Sequence, residues 1–247
     1  MRPQLRSELL KQRSNPTSRG LLLGMLGLVL FAIALHGVGL APEHLDSRPE
    51  QLMVFGRGEF LGALFAALLG ALSVTSEFRH GTIRPTLLTT PRRGRVVAAK
   101  VVVSILSGAV FGLAASALAV GAGAAALGPR DIDLQLDGGD IALLVAGSGA
   151  AGALWAAIGV GVGAVVRNQV PAVVGIAAWL LFVEGVLAGD ALDLDVSKYA
   201  PGAAAEALSG QDPGTLLAPA LGALVLAVYA GGSVAAAWWA TDRRDVV

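Results

Sequence analysis

The sequence contains no cysteine and only three histidines, His36, His44 and His80. The lack of cysteine excludes a disulfide framework and thiolate metal sites, and the histidines do not have the spacing of a metal motif. No GxxxxGK[ST] phosphate-binding motif occurs either, and the glycine-rich stretches lie inside apolar runs rather than after a strand. We therefore expect that this chain is not an enzyme and that it binds no metal or nucleotide cofactor itself.

Charged residues are also scarce, at 15% of the chain, whereas 55% of the residues are hydrophobic and the mean hydropathy is +0.69. A soluble domain of this size needs more polar surface than this composition provides. The composition predicts a protein whose main solvent is the lipid bilayer.

Long apolar runs are what the sequence has instead. A transmembrane helix needs about 20 apolar residues, and the chain offers six such runs, at about 20–41, 57–76, 101–128, 141–166, 170–188 and 216–240. The fifth run begins with Pro171, which the first turn of a helix tolerates, and it contains Glu184 near its end. The predicted fold class is all-α, a polytopic membrane protein with six transmembrane helices.

The distribution of basic residues predicts the orientation. With the N-terminus inside, 14 of the 18 Lys and Arg residues fall on the inner side and four on the outer side. This asymmetry obeys the positive-inside rule. We expect both termini, including the tail at 241–247, in the cytoplasm.

The N-terminal segment, residues 1–19, precedes the first span. Leu5, Leu9 and Leu10 fall on one helical side, with basic residues on the flanks. The pattern predicts a short amphipathic helix at the cytoplasmic membrane surface, with a disordered basic tail as the alternative. The residues of this predicted interfacial helix are Leu5, Glu8, Leu9, Lys11 and Arg13.

The connection between spans 2 and 3, residues 77–100, is far longer than a turn and strongly basic. Gly81 allows a sharp turn out of span 2, Pro85 suits the first turn of a helix, and Pro91 ends that helix. About two turns of amphipathic helix result. Such a helix can lie on lipid headgroups or dock into a groove of a partner protein.

The run SEFRHGTIRPTLLTTPRRGRVVAAK resembles the segment between spans 2 and 3 of ABC-2 type transporter permeases, where an acidic residue, Gly-Thr, Pro-Arg and Lys recur in this order. ELLKQR near the N-terminus is similar to the helix before span 1 of that family. SKYAPGAAAEAL, within the predicted external loop 189–215, resembles its short external helices.

The resemblance implies an ABC exporter permease that pairs with a separate ATPase, which would bind ATP and Mg, and with a second permease copy as homodimer or paralogue. It further implies a location in the bacterial cytoplasmic membrane. The loop helix would act as a coupling helix. The residues assigned to the ATPase interface are Glu77, Arg79, Gly81, Thr82, Ile83, Arg84, Leu87, Leu88, Pro91, Arg92, Arg93 and Lys100.

Polar residues within the spans are few. Glu184 and His36 form a possible intramembrane polar site, because charged groups at depth are costly. The alternatives are a structural or interfacial carboxylate at Glu184 and a neutral, hydrogen-bonded histidine at His36. Arg57 and Glu59 are expected at the outer mouth of span 2, paired with each other or with lipid headgroups.

Two other classes compete with the transporter hypothesis. A membrane scaffold or immunity-type protein that does not transport fits the same topology. An intramembrane enzyme would need convergent polar groups, which His36 and Glu184 do not provide as a spaced pair. The residues favour no cargo, so antibiotics, peptides, lipids and ions all remain open.

Overall fold

The computed structural model describes residues 2–39, 45–82, 93–188, 197–212 and 214–243. Throughout these ranges the regular structure is helical. The longer elements are α1 (Arg2–Ser14), α2 (Pro16–Gly39), α3 (Arg48–Phe55), α4 (Arg57–Arg79), α5 (Arg93–Leu127), α6 (Gly138–Val166), α7 (Gln169–Ala178), α8 (Glu184–Ala188), α9 (Pro201–Leu208) and α10 (Pro219–Arg243). A π-helical turn, Trp179–Val183, joins α7 to α8.

Six helical segments are long and apolar enough to cross a membrane, which confirms the predicted all-α, six-span fold. They are Pro16–His36, Arg48–Arg79, Gly94–Arg130, Gly138–Val166, Gln169–Leu187 and Pro219–Arg243. Each coincides with one of the six apolar runs, since an apolar helix of this length satisfies its backbone hydrogen bonds internally.

The connection between α4 and α5 is shorter than the predicted 77–100 loop. Helix α5 spans Arg93–Leu127, and it extends past the N-terminal end of the apolar run because RVVAAK, residues 95–100, contains no helix breaker. The predicted coupling helix, from Pro85 to about Thr90, lies outside the described residues, as do 189–196 and 213 of the predicted external loop and the tail from 244.

Helices α4, α5 and α6 form the centre of the bundle, and glycines allow their backbones to touch. A Cβ on Gly112 of α5 would overlap the carbonyl oxygen of Ser148 in α6. On the other side of α6, a Cβ on Gly159 would overlap the carbonyl oxygen of Ala67 in α4. Gly159, which the sequence pairs with Gly163 at small-xxx-small spacing, therefore lies in the α4–α6 contact.

The outer helices bury much less of their surface. Helix α2 buries mainly the stripe Met25, Val29 and Ile33, whereas Leu23 and Phe31 are exposed. Large exposed apolar side chains also cover α7 and α10, among them Val170 and Val228. Such faces suit lipid tails or another apolar helix.

The bundle has two ends. At the α1 end lie α1, the last turn of α4 and the start of α5. At the opposite α9 end lie α3, α9 and the start of α4. Arg48 of α3 forms a bidentate pair with Asp140 of α6 there, with an Nη2–Oδ1 distance of 2.6 Å and an Nε–Oδ2 distance of 2.8 Å.

Candidate functional site: a charge cluster at the α1 end

Four charged side chains from three helices meet at the α1 end. The Lys100 Nζ of α5 lies 2.8 Å from Glu8 Oε2 of α1 and 2.8 Å from Glu77 Oε1 of α4. Lys11 Nζ bridges the same two carboxylates, at 2.7 Å from Glu8 Oε1 and 2.8 Å from Glu77 Oε1. Lys100 also donates to the carbonyl oxygen of Ser73, at 3.0 Å. We call Glu8, Lys11, Glu77 and Lys100 the charge cluster.

Most of the charge cluster is buried. Lys100, Glu77 and Glu8 are 4%, 6% and 7% exposed, whereas Lys11 is exposed. Two cations balance two carboxylates, which is the condition under which buried charges are tolerated. Removing one partner would leave an uncompensated charge.

Burial and pairing act on the pKa values of the α1 residues in opposite directions. Burial raises the pKa of Glu8, but Lys100 and Lys11 outweigh burial, and the pKa falls below its ordinary value. Burial lowers the pKa of Lys11, but hydrogen bonds to Glu77 and Glu8 outweigh it, and the pKa rises. Both residues are thus held in their charged forms.

The periodicity of α1 explains why Glu8 reaches the cluster. Leu5, Glu8, Leu9 and Gln12 follow the i, i+3, i+4, i+7 spacing of one helical face, and all four are at least half-buried. Gln12 continues the contact with α5, where the Ser107 hydroxyl donates to Gln12 Oε1 at 2.5 Å. Helix α1 therefore packs on α5 through this face.

Of the other predicted residues of the interfacial helix, Arg13 is exposed. Leu10, expected beside Leu5 and Leu9, is also exposed, because it lies one position beyond the packed face. The predicted helix is present. Its packed face includes Glu8, which a pattern of hydrophobic residues alone does not assign to that face.

A cavity of about 320 Å³, lined by polar residues and by leucines, adjoins the charge cluster. Residues from α1, α2 and α4 line it, and it extends to Thr82, beside the start of segment 83–92. The cluster therefore lies where the α4–α5 connection leaves the bundle.

The remaining predicted interface residues divide into two groups. Arg79 donates to Gln169 Oε1 at 3.1 Å, Gly81 has the left-handed φ of +68° that the predicted sharp turn requires, and the Thr82 amide donates to the Glu77 carbonyl at 3.0 Å. Arg93 begins α5. Ile83, Arg84, Leu87, Leu88, Pro91 and Arg92 lie outside the described residues.

The structure does not bring Glu184 and His36 together. Glu184 Oε1 accepts hydrogen bonds from Trp179 Nε1, at 2.6 Å, and from the Gly202 amide in the first turn of α9, at 2.9 Å. The π-helical turn makes the first contact possible, because it places residues five apart on one side. The ring of His36 lies 2.9 Å from the Ala32 carbonyl oxygen of its own helix.

Sequence reasoning selected Glu77, Lys100, Glu8 and Lys11, but it placed them in two separate features. The sequence signal that could have connected the two features is Glu8, which lies on the apolar face of α1. A carboxylate buried at that position needs a cation as its partner. Within the described residues, no three His, Asp or Glu side chains form a group that could hold a metal ion. The cluster is suited to linking helices mechanically.

A family model described as ABC-2 family transporter protein matches residues 14–239 of the chain. The match runs from the end of α1 into α10. It includes Glu77 of α4 and Lys100 of α5. No curated protein matches the chain.

Proposed function

Because the chain belongs to the ABC-2 transporter family, we propose that it is the membrane-spanning permease subunit of an ATP-driven exporter. Members of this family are membrane transport components that are generally not catalytic themselves and normally work with an ATPase subunit. In this proposal a separate ATPase binds ATP and Mg, and this chain provides the pathway.

The observation that carries the proposal is the position of the charge cluster. Glu77 lies in the last turns of α4 and Lys100 in the first turns of α5, so the cluster joins the two helices that flank segment 83–92. An ATPase that moved this segment would displace both helices together. Glu8 and Lys11 extend the same link to α1.

The proposed orientation has the α1 end in the cytoplasm. The basic residues at 2–19, 79–100 and 243–244 would then face the cytoplasm, as the positive-inside rule requires. The membrane would be the bacterial cytoplasmic membrane.

A second permease copy would complete the pathway, as a homodimer or with a paralogue. The exposed apolar faces of α2, α7 and α10 leave ample surface for such a contact and for lipid. In this proposal six spans from each of two copies enclose the path.

Purification from native membranes tests the proposal. The tagged chain is extracted in mild detergent, and the proteins that co-purify are identified by mass spectrometry. We expect an ATPase carrying a GxxxxGK[ST] motif in near-equal amount. It should be lost when Leu87, Leu88, Arg92 and Arg93 are replaced together by alanine.

The matched control replaces Asp133 at the α9 end, an exposed residue, and should leave the ATPase bound. Reproducible purification without any ATPase would overturn the permease proposal and favour the scaffold or immunity-type protein. An ATPase that stays bound to the fourfold variant would instead show that these four side chains do not hold it.

A further inference from the structure

A second, larger cavity lies at the α9 end and plays no part in the link to an ATPase. Its volume is about 630 Å³. Residues of α3, α4, α6, α8, α9 and the π-helical turn line it, so three of the six spans contribute to its wall together with α9. The predicted residues Glu184, Arg57 and Glu59 all line this cavity.

Among the described residues on the wall of the cavity, three buried polar atoms have no hydrogen-bond partner. They are Glu59 Oε1, Trp155 Nε1 and Arg57 Nε. Glu59 is 2% exposed and Trp155 is 3% exposed. A buried polar atom without a partner costs free energy, and such atoms are rare in folded proteins. One acceptor and two donors are therefore available to a bound molecule.

The charges around the cavity are unbalanced. In the part of the chain that the structure describes, five carboxylates line it, from Glu50, Glu59, Glu184, Glu206 and Asp212, and Arg57 is the one cation.

Three of these carboxylates have structural partners. Glu50 caps α3 through Ser47, Glu184 caps α9, and Asp212 accepts from the Thr215 hydroxyl. Glu59 and Glu206 line the cavity without such a structural role, and Arg57 offsets part of the charge at Glu206. Glu59 keeps only a long hydrogen bond of 3.3 Å from Gln211 Nε2 to its other oxygen. Burial, and then the Glu184 carboxylate, raise the pKa of Glu206, so a cationic guest would stabilise its charged form.

Ser197 and Gln211 add two neutral polar side chains to the wall, and its large apolar side chains are Met53, Phe60, Leu180 and Leu181. A metal ion does not fit this arrangement, because no three carboxylates among the described residues converge on one point and the volume is far larger than one hydrated ion needs. An organic molecule with an apolar body fits better.

We propose that this cavity binds an amphipathic organic amine. Its ammonium group pairs with the carboxylates of Glu59 and Glu206, and its oxygen acceptors take hydrogen bonds from Trp155 Nε1 and Arg57 Nε. This inference rests on the proposed function in one respect. If the chain is an exporter permease, the amine is its cargo and is bound near the outer face.

Monodansylcadaverine is a suitable probe, since it joins a primary ammonium to an apolar ring system with sulfonyl oxygens. N-pentyl dansylamide is the matched compound without the ammonium. The purified full-length chain in lipid nanodiscs is titrated with each compound, and dansyl fluorescence is recorded. We expect saturable binding of monodansylcadaverine and weaker binding, by about tenfold or more, of N-pentyl dansylamide.

Glu59→Gln keeps the size of the side chain and removes its charge. This variant should bind monodansylcadaverine about tenfold or more weakly and bind N-pentyl dansylamide unchanged. Trp155→Phe and Glu206→Gln should weaken binding in the same direction. Asp133→Asn, an exposed carboxylate at the same end, is the control and should bind as the parent chain does.

Equal affinity for the two compounds, or unchanged binding by Glu59→Gln and Glu206→Gln, would overturn the proposal. If Glu59→Gln fails to fold, judged by size-exclusion profile, Glu206→Gln and Trp155→Phe decide the matter. The titration uses no ATPase, so its outcome is separate from co-purification. Loss of amine binding with the ATPase retained would refute the cavity assignment alone.

Discussion

Lys100 is the residue on which the charge cluster depends. Its ammonium group contacts both carboxylates and a backbone carbonyl, and it is almost completely buried. Lys11 contacts the same carboxylates but remains exposed. Water can therefore substitute for Lys11 far more readily than for Lys100.

Replacing Lys100 by methionine should destabilise the protein by about 3–5 kcal/mol, the usual cost of leaving a buried charge unpaired. Arg95→Met is the matched control, because Arg95 lies on the same helix and is exposed. Unfolding of the purified variants by SDS titration measures the difference. Equal stability of the two variants would contradict the account of the cluster.

At the scale of elements, α1 is a helix held in place by charge as well as by Leu5 and Leu9. The lowered pKa of Glu8 gives a contribution that is complete above its ordinary value of 4.5 and is lost as pH falls through the lowered pKa. The raised pKa of Lys11 gives a contribution that is present below 10.5 and is lost as pH rises through the raised pKa.

We therefore expect α1 to stay docked between about pH 5 and pH 10 and to loosen in acid. A nitroxide on Ser7→Cys, an exposed position in a chain without other cysteines, reports the mobility of α1 by electron paramagnetic resonance. The spectrum should sharpen below pH 4.5, while a label on Asp133→Cys should not change. A label on Ser7→Cys that is equally immobile at low pH would show that charge pairing does not hold α1.

The contact between α5 and α6 depends on the absence of a side chain at Gly112. Gly112→Ala should destabilise the bundle by about 1–3 kcal/mol, since the new methyl group would overlap the Ser148 backbone. Gly121→Ala is the control on the same helix, where a Cβ meets nothing within 4 Å. It should be neutral or stabilise by about 0.5–1 kcal/mol. The SDS titration also measures this pair, and a Gly112→Ala variant as stable as Gly121→Ala would contradict the close packing.

The elements were predictable from the sequence to very different degrees. The six spans follow from length and hydropathy alone, because a bilayer imposes a local rule on each run. The turn at Gly81 was also predictable, because glycine readily adopts the left-handed conformation that the turn requires. By contrast, the pairing of Glu8 with Lys100 joins residues 92 positions apart. Periodicity within one helix does not predict which cation of another helix contacts its apolar face.

The lining of the cavity at the α9 end was also only partly predictable from the sequence. Glu184 was selected because it interrupts an apolar run, and Glu59 was expected at the mouth of a span. Trp155 lies in the middle of an apolar run, where its buried and unpartnered Nε1 leaves no trace in the sequence.

At the scale of the whole molecule, α4 connects the two ends. Glu59 lies near its first turn, in the larger cavity, and Glu77 near its last turn, in the charge cluster. A displacement of α4 at the α1 end would therefore reach the α9 end through a single helix. This arrangement suits a permease in which a partner at one end controls a binding site at the other.

Cross-linking from single cysteines tests the central claim, that an ATPase docks at the α1 end, most directly. Thr82→Cys lies beside segment 83–92, Asp133→Cys lies at the α9 end, and both positions are exposed. Each variant is labelled with a benzophenone maleimide in native membranes and irradiated, and its adducts are identified by mass spectrometry. The account predicts an ABC ATPase cross-linked to Thr82→Cys and none to Asp133→Cys. An ATPase captured from Asp133→Cys, or from neither position, would contradict it.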